Sequence, residues 1–580
     1  MPEYLAPAVY VEETSFRAKS IAGVGTSTAA FVGMTARGPL RVTSADPTPP
    51  LLTSFSDFET YYGGTDNLSI GGNATANYLA HAARAFFNNG GGRLYVARLL
   101  GTGATAATSG QLTAGAALAA AKVVSFVARQ SGGVTLPNSA CNFSVGVTAQ
   151  SLSTTKRLAL TQPAGTTIQI GKDYYVLGLN PVLTTAADLT ALTVLTDDGA
   201  CAIISYTVDV SDSTGLIFEA AGLSLHPQHP RFIGTLLGAN PPNPSDAMTN
   251  PVTISIGTGV GPFELRQALA DAATASPVAL AGGSDGTGTP ATADFQNSLD
   301  SLLALEDVSI VAAPGSSSFS GTDPAAINQM LIGHAEARRS YRIAVLDTPP
   351  FLDIAGAQAL KSQIDSKYAA LYFPWIRIAN PSAALNPLAP QTIDVPPSGA
   401  VCGIYARSDD QRGVWKAPAN ETVTGALALQ RDIRFGEQEV LNPLGINCIR
   451  SLPNRGIRVW GARTLSSDPE WIYVNIRRYF LYLEASIDQG TQWAVFEPNG
   501  EALWANIEST ISDFLYNEWV SGALLGTKPE QAFFVQCDRS TMTQNDLDNG
   551  RLICLVGVAA IKPAEFVIFR IGQKTADARA

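Results

Sequence analysis

Between Pro277 and Ile404 the chain alternates short apolar runs with segments of helical spacing, and this alternation narrows the fold more than any other feature. Asp294 to Glu306 has helical periodicity, and Val308 to Ala312 is a short buried strand that runs into Pro314-Gly315. The pattern then repeats. A helix from about Pro324 to Arg339 leads to a strand from Arg342 to Leu346 that ends in Asp347-Thr348-Pro349-Pro350, and a helix from about Ile354 to Ser366 leads to a strand from Tyr368 to Phe373. Strands that alternate with helices need crossover connections, which are right-handed and give a mainly parallel sheet covered on both faces.

The flanking regions read differently. Ala22 to Gly33 alternates small and apolar residues, Tyr78 to Phe87 has helical spacing closed by Asn88-Asn89-Gly90-Gly91-Gly92, and Arg93 to Leu100 follows as a strand. Residues 23–100 therefore read as an N-terminal αβ unit. From Gly101 to Asn250 the 150 residues hold only six basic and eight acidic side chains, and short runs such as Val123 to Val127 and Tyr174 to Leu177 stand between Gly, Asn and Pro. That texture predicts a β-rich insertion, with residues 251–452 as the parallel domain after it. In the last third, residues 453–580, Ser467 or Asp468 could cap a helix with Pro469 in its first turn. Its apolar stripe is Ile472, Ile476, Tyr479, Phe480, Leu483 and Ile487; a second stripe runs from Leu503 to Trp519, and strand-like segments follow at Ala532 to Cys537 and Leu552 to Ile561.

Charge is sparse, at 15% of residues, with a formal net charge of −11, while the hydrophobic fraction is 46%. Disordered chains need low hydrophobicity with high net charge, and nucleic-acid binders need basic surfaces, so both classes are excluded. The start, Met1-Pro2-Glu3-Tyr4, has no secretory pattern, and the apolar run Leu552 to Ile561 is half a membrane span. Six scattered cysteines without a CxxC read as buried thiols made in a reducing compartment. Sparse charge on a large surface points to protein neighbours.

Catalytic motifs fail one by one. Gly165 to Lys172 lacks P-loop spacing. His226 and His229 could share a metal, but no carboxylate completes a site, and His81 and His334 stand alone. Gly25 to Ala30 is similar to the nucleophile turn of subtilisin-like proteases, yet it precedes His334 and Asp347, the reverse of the order that chemistry uses. Asp347 sits at the carboxyl end of a strand, where open α/β sheets bind ligands, but no base or nucleophile accompanies it. Gly282 to Gly286 reads as a loop. Arg477-Arg478 could face an acidic partner, lie on a solvated helix face or form an internal ion pair.

Both termini carry strand-like segments with no local partner: Ala8, Val9, Tyr10, Val11 and Glu12 within an arm of residues 1–22, and Phe566, Val567, Ile568, Phe569, Arg570 and Ile571 near the end. A lone strand must join a sheet in its own chain or a neighbour's. Ordering six residues costs on the order of 6 to 12 kcal/mol, which about five hydrogen bonds and two or three buried apolar side chains offset only to near balance. Many arms acting together in a polymer would be strongly favourable.

Several stretches resemble the contractile tail sheath proteins of phages and related injection systems. They are Gly90 to Arg98, Gly282 to Gly286, Arg412-Gly413-Val414-Trp415-Lys416-Ala417-Pro418-Ala419-Asn420, Leu441-Asn442-Pro443, Ile457 to Thr464, Trp471 to Arg478, Phe496-Glu497-Pro498-Asn499 and Pro563 to Phe566. The resemblance implies a subtilisin-like parallel α/β domain without a catalytic triad, a β-rich inserted domain that faces outward, and an α+β C-terminal core domain with extended terminal arms. It implies strand exchange through Ala8 to Glu12 and Phe566 to Ile571, and an inner face on one of the two C-terminal helices, with Arg477, Arg478 and Glu484 as candidate tube-facing or inter-subunit charges. The expected partners are copies of the same chain in a helical polymer of stacked rings, an inner tube protein, and baseplate and tail terminator proteins. No cofactor, metal, direct nucleic-acid contact or membrane insertion is expected. Assembly is expected in the bacterial cytoplasm. The rival class is an α/β hydrolase or ligand-binding protein that uses a crevice near Asp347.

Overall fold

The computed structural model describes residues 20–39, 48–70, 73–110, 112, 124–128, 144–159, 161–171, 173–178, 183–185, 191–192, 199–212, 215–243, 246, 250–273, 277–284, 286, 288–318, 324–384 and 389–569. Its centre is a sheet of eight strands: β1 (Thr28–Met34), β2 (Arg93–Leu99), β3 (Ile310–Ala312), β4 (Ile343–Asp347), β5 (Ala369–Phe373), β6 (Glu421–Thr422), β7 (Ile446–Leu452) and β8 (Gly456–Val459). The spatial order is β6-β8-β7-β5-β4-β3-β1-β2. Every pairing from β2 to β7 is parallel, and β8 and β6 add an antiparallel edge.

Side chains alternate across this sheet with the strand period of two. Ala29, Phe31, Leu94, Val96, Ile343 and Tyr372 face the helices Tyr78–Asn88 and Ser398–Arg412. Ala30, Val32, Ala97, Val311, Ala344 and Leu371 face the helices Thr292–Leu302 and Pro324–Glu336. Because both faces are covered, the central strands are apolar at successive positions, as parallel sheets require. Helix Ser398–Arg412 lies very close to helix Tyr78–Asn88: a Cβ at Gly399 would stand 2.5 Å from Ala82 Cα, and one at Gly403 would fall on the Phe86 carbonyl oxygen.

Two expected boundaries change. β1 and β2 belong to the central sheet, so residues 23–100 are part of the parallel domain and not a separate unit. The insertion also runs past residue 250. Strand Val252–Ile256 pairs with Val124–Ala128, Val278–Ala279 pairs with the long strand Ser144–Thr155, and Leu265, Ala268, Leu269 and Leu280 share its core with Val145, Tyr206 and Val208. The two connections meet at a neck where Thr105 bridges Ser284 and Thr108 bridges Ala281. Gly286, at φ +100°, leaves room there for the backbone of Gly101, so the glycine motif serves the crossing of two chain segments.

The C-terminal core pairs helix Val474–Gly490 with helix Glu501–Val520 over Trp504, Ile507, Ile511, Phe514 and Leu515. Against them lies a hairpin of Phe533–Gln536 and Leu555–Val558. The first helix starts at Val474, later than expected. Ser467 instead bonds Asp365 through its amide at 3.0 Å, and Asp468 accepts from the Glu470 amide at 2.9 Å, so this stretch forms a turn that cannot serve as the helix cap.

Candidate assembly surface

The motif segments that are far apart in sequence converge on one groove of about 1000 Å³, lined by Trp415, Lys416, Asn420, Asn442, Trp460 and Tyr473. The chain's own segment from Lys562 to Val567 also lines it. Glu565 anchors that segment. Arg463 grips its carboxylate with two bonds, Nη2 to Oε2 at 2.6 Å and Nε to Oε1 at 3.0 Å, while Asn442 Nδ2 donates at 2.6 Å and the Tyr473 hydroxyl at 3.0 Å. Burial acts to raise the Glu565 pKa, but Arg463, Asn442 and Tyr473 outweigh it and hold the carboxyl below its usual range.

Beyond this anchor the chain emerges into solvent. Phe566, Val567, Ile568 and Phe569 are 72%, 68%, 79% and 83% exposed, and they form no strand with any described residue. Arg570, Ile571 and the whole run Ala8 to Glu12 lie outside the described residues. The hairpin is the complementary feature. Among the described residues its two strands pair only with each other, and Phe534, Leu555 and Val556 are exposed on it. A two-stranded sheet with apolar exposed faces leaves two edges able to accept further strands.

The candidate charges sit elsewhere than a surface reading expects. Arg478 and Asp409 are each 3% exposed at the side chain and are paired at 2.6 Å, with a second bond at 2.8 Å. Thr26 completes this cluster, its hydroxyl donating to Asp409 at 2.7 Å and its carbonyl accepting from Arg478 at 2.9 Å. The Arg478 guanidinium also lies 4.7 Å from the centre of the Tyr405 ring. Arg477 is buried against Tyr368 and Trp471 and reaches Glu484 at 2.9 Å. Neither arginine presents its charge outward; the internal ion pair is the correct alternative, because both belong to a helix enclosed on nearly every side. Glu484 alone is partly exposed.

The residues once considered for chemistry are occupied structurally. Asp347 is buried and accepts from the Ser398 amide at 2.9 Å and the Ser398 hydroxyl at 2.6 Å; burial pushes its pKa up to about 7 despite these bonds. His334 Nε2 lies 2.6 Å from Arg342 Nη1, and burial lowers its pKa to about 3. His226 and His229 each accept a backbone amide two residues ahead through Nδ1. No cluster of metal-ligating side chains occurs among the described residues, and no described helix is long and apolar enough to cross a membrane. Sequence reasoning missed Asp409 and the anchoring role of Glu565. Only Glu565 had a local signal, in the stretch Pro563 to Phe566.

A mixed α/β protein with an inserted β unit, a two-helix core and an anchored, exposed C-terminal segment that is unpaired among the described residues is the class this architecture defines. Residues 288–465 match the phage tail sheath protein central domain, and residues 466–574 match the phage tail sheath C-terminal domain. The first match begins just beyond the neck of the insertion. A protein of Pseudomonas aeruginosa strain UCBPP-PA14 named as a prophage major tail sheath protein is 26% identical over 325 residues, covering 55% of this chain and 76% of its own length. The tail sheath protein of Burkholderia phage BcepMu is 24% identical over 206 residues, 32% of this chain and 41% of that one. The fold is shared with the contracted helical sheath of the anti-feeding prophage, at TM-score 0.53 and 20% identity over 98% of this chain and 99% of that one. It is also shared with the contracted sheath complex of an extracellular contractile injection system, PVC, at TM-score 0.51 and 22% identity over 99% of each chain. The chain belongs to the contractile tail sheath family.

Proposed function

We propose that the chain polymerises as stacked rings into a helical sheath around an inner tube, and that the sheath contracts to drive the tube through a target envelope. The observation that carries this reading is the exposed apolar segment Phe566 to Phe569 that leaves the Glu565 anchor, together with a hairpin that pairs with no other strand among the described residues. Each copy supplies two arms, one from each terminus, and offers two edges, so donors and acceptors balance in a closed lattice. Burying four such side chains returns about 1.5 to 3 kcal/mol each, against roughly 1 to 2 kcal/mol of backbone entropy per residue. One arm is weak alone and effective in an array.

Helix Glu501–Val520 is the proposed tube-facing helix. It exposes one stripe, Ala502, Asn506, Ser509, Asp513, Tyr516 and Val520, whereas the described surface of helix Val474–Gly490 is almost wholly buried. The energy for contraction would be the difference between two packings of one subunit, with no catalysis by this chain. The parallel domain, described as subtilisin-like through the resemblance, acts as scaffold, and the insertion faces outward. Baseplate and terminator proteins would bind the sheath ends, with assembly in the bacterial cytoplasm into a virion tail or a phage-derived particle.

Deleting residues 1–13 or 566–580, which spares Glu565, should leave a folded monomer that forms no tubes in negative-stain electron microscopy. Normal tubes from both deletions would refute arm exchange.

A further inference from the structure

Cys537 and Cys554 flank the hairpin on which the arms are proposed to dock, one residue beyond its last paired positions. The register pairs Gln536 with Leu555, and one further step places Cys537 opposite Cys554. Both thiols lie in the same apolar cluster, Cys537 buried and Cys554 partly exposed. Residues directly opposite in an antiparallel pair have Cα atoms about 4.5 to 5.5 Å apart, inside the roughly 4.4 to 6.8 Å that a disulfide spans. Their side chains project from the same face of the ribbon. The other described cysteines, Cys201, Cys402 and Cys448, sit on separate elements with no such counterpart.

We propose that Cys537 and Cys554 form a thiol–disulfide switch that takes a small-molecule disulfide as its oxidant and staples the two ends of the hairpin. The Cys554 thiolate, the more accessible, attacks one sulfur of the oxidant and releases one equivalent of its thiolate. The Cys537 thiolate then attacks Cys554 Sγ in the mixed disulfide and releases the second. Two cysteine thiols and one external disulfide become one internal disulfide and two external thiols, so two electrons pass to the oxidant. Burial raises the pKa of both thiols, that of Cys537 to about 12, with Glu508 and Asp538 adding to it, and alkaline pH therefore speeds the exchange. The bond closes the loop of residues 538–553 and does not depend on arm exchange.

The test uses the full chain incubated with glutathione disulfide at about pH 8, quenched with iodoacetamide and mapped by non-reducing peptide mass spectrometry. The expected result is a linked peptide pair containing Cys537 and Cys554 that dithiothreitol abolishes, with the buried Cys201, Cys402 and Cys448 neither linked nor carrying glutathione. Cys554→Ala should remove the link while leaving the other thiols protected as in the parent, which shows that the fold is intact. In the oxidised protein, hydrogen exchange of Phe533 to Gln536 should slow by about 100-fold, as expected from closing a loop of this size. Alkylation of both cysteines, or a glutathione adduct on Cys554 that never resolves onto Cys537, would overturn the proposal. Unchanged exchange in the linked protein would overturn the stapling.

Discussion

Replacing Arg478 with methionine keeps much of the apolar volume and removes the charge that neutralises Asp409. Both side chains are 3% exposed, and two hydrogen bonds at 2.6 and 2.8 Å join them. Removing one partner of a buried pair leaves the other charge without compensation, a loss of about 3 to 5 kcal/mol. For a cooperative unit of this size each kcal/mol lowers Tm by roughly 2 to 4 °C, so scanning calorimetry should find a drop of order 10 °C. The deficit should also depend on pH. Burial already raises the Asp409 pKa, outweighing Arg478 and Thr26. A carboxyl raised in the folded state favours folding below its unfolded pKa of about 3.9 and loses that contribution as pH rises through the folded value. Without Arg478 the folded value climbs further, so the variant should lose stability relative to the parent as pH rises above the unfolded value. The double variant Arg478→Met/Asp409→Leu should recover most of the loss. A deficit below about 1 kcal/mol, one that is flat with pH, or a double variant no better than the single would refute the electrostatic argument.

The helix contact predicts that Gly403→Ala destabilises by about 1 to 3 kcal/mol or more, because its Cβ meets the Phe86 carbonyl. Gly333→Ala, on an exposed helix face with open space around it, should instead stabilise by about 0.4 to 1 kcal/mol in the same melting assay. Asp347→Asn should flatten the pH dependence of unfolding between about pH 4 and pH 7, since a carboxyl raised to about 7 withdraws its stabilisation as it ionises across that window. Glu565→Gln weakens a charge-assisted grip worth about 1.5 to 3 kcal/mol per bond and should increase hydrogen exchange over Lys562 to Phe569. Because the folded Glu565 pKa is depressed, the anchor's contribution is full above the unfolded value of about 4.3 and is lost as pH falls through the folded value, so the gap between parent and variant should close toward acid pH.

What the sequence determined by itself was local and periodic. The strands Ile343–Asp347 and Ala369–Phe373 were legible to within one residue at each end, and the helix Ile354–Ser362 between them at its start, because burial on both faces writes a continuous apolar run and helix packing writes a 3.6-residue repeat. The hairpin strands at Phe533–Gln536 and Leu555–Val558 were legible from short β-branched and aromatic runs. Tertiary structure decided what lies far apart along the chain. Strand Thr28–Met34 enters the sheet between Ile310–Ala312 and Arg93–Leu99, and no local pattern states a neighbour more than 200 residues away. The fate of Arg478 was equally non-local: an arginine on a helix reads alike whether solvent or Asp409 awaits it, and desolvation against a carboxylate 69 positions earlier settles the matter. No local pattern states that the Phe86 carbonyl stands where a side chain at Gly403 would project. Periodicity records which face of an element is buried, and only the packed chain records what it is buried against.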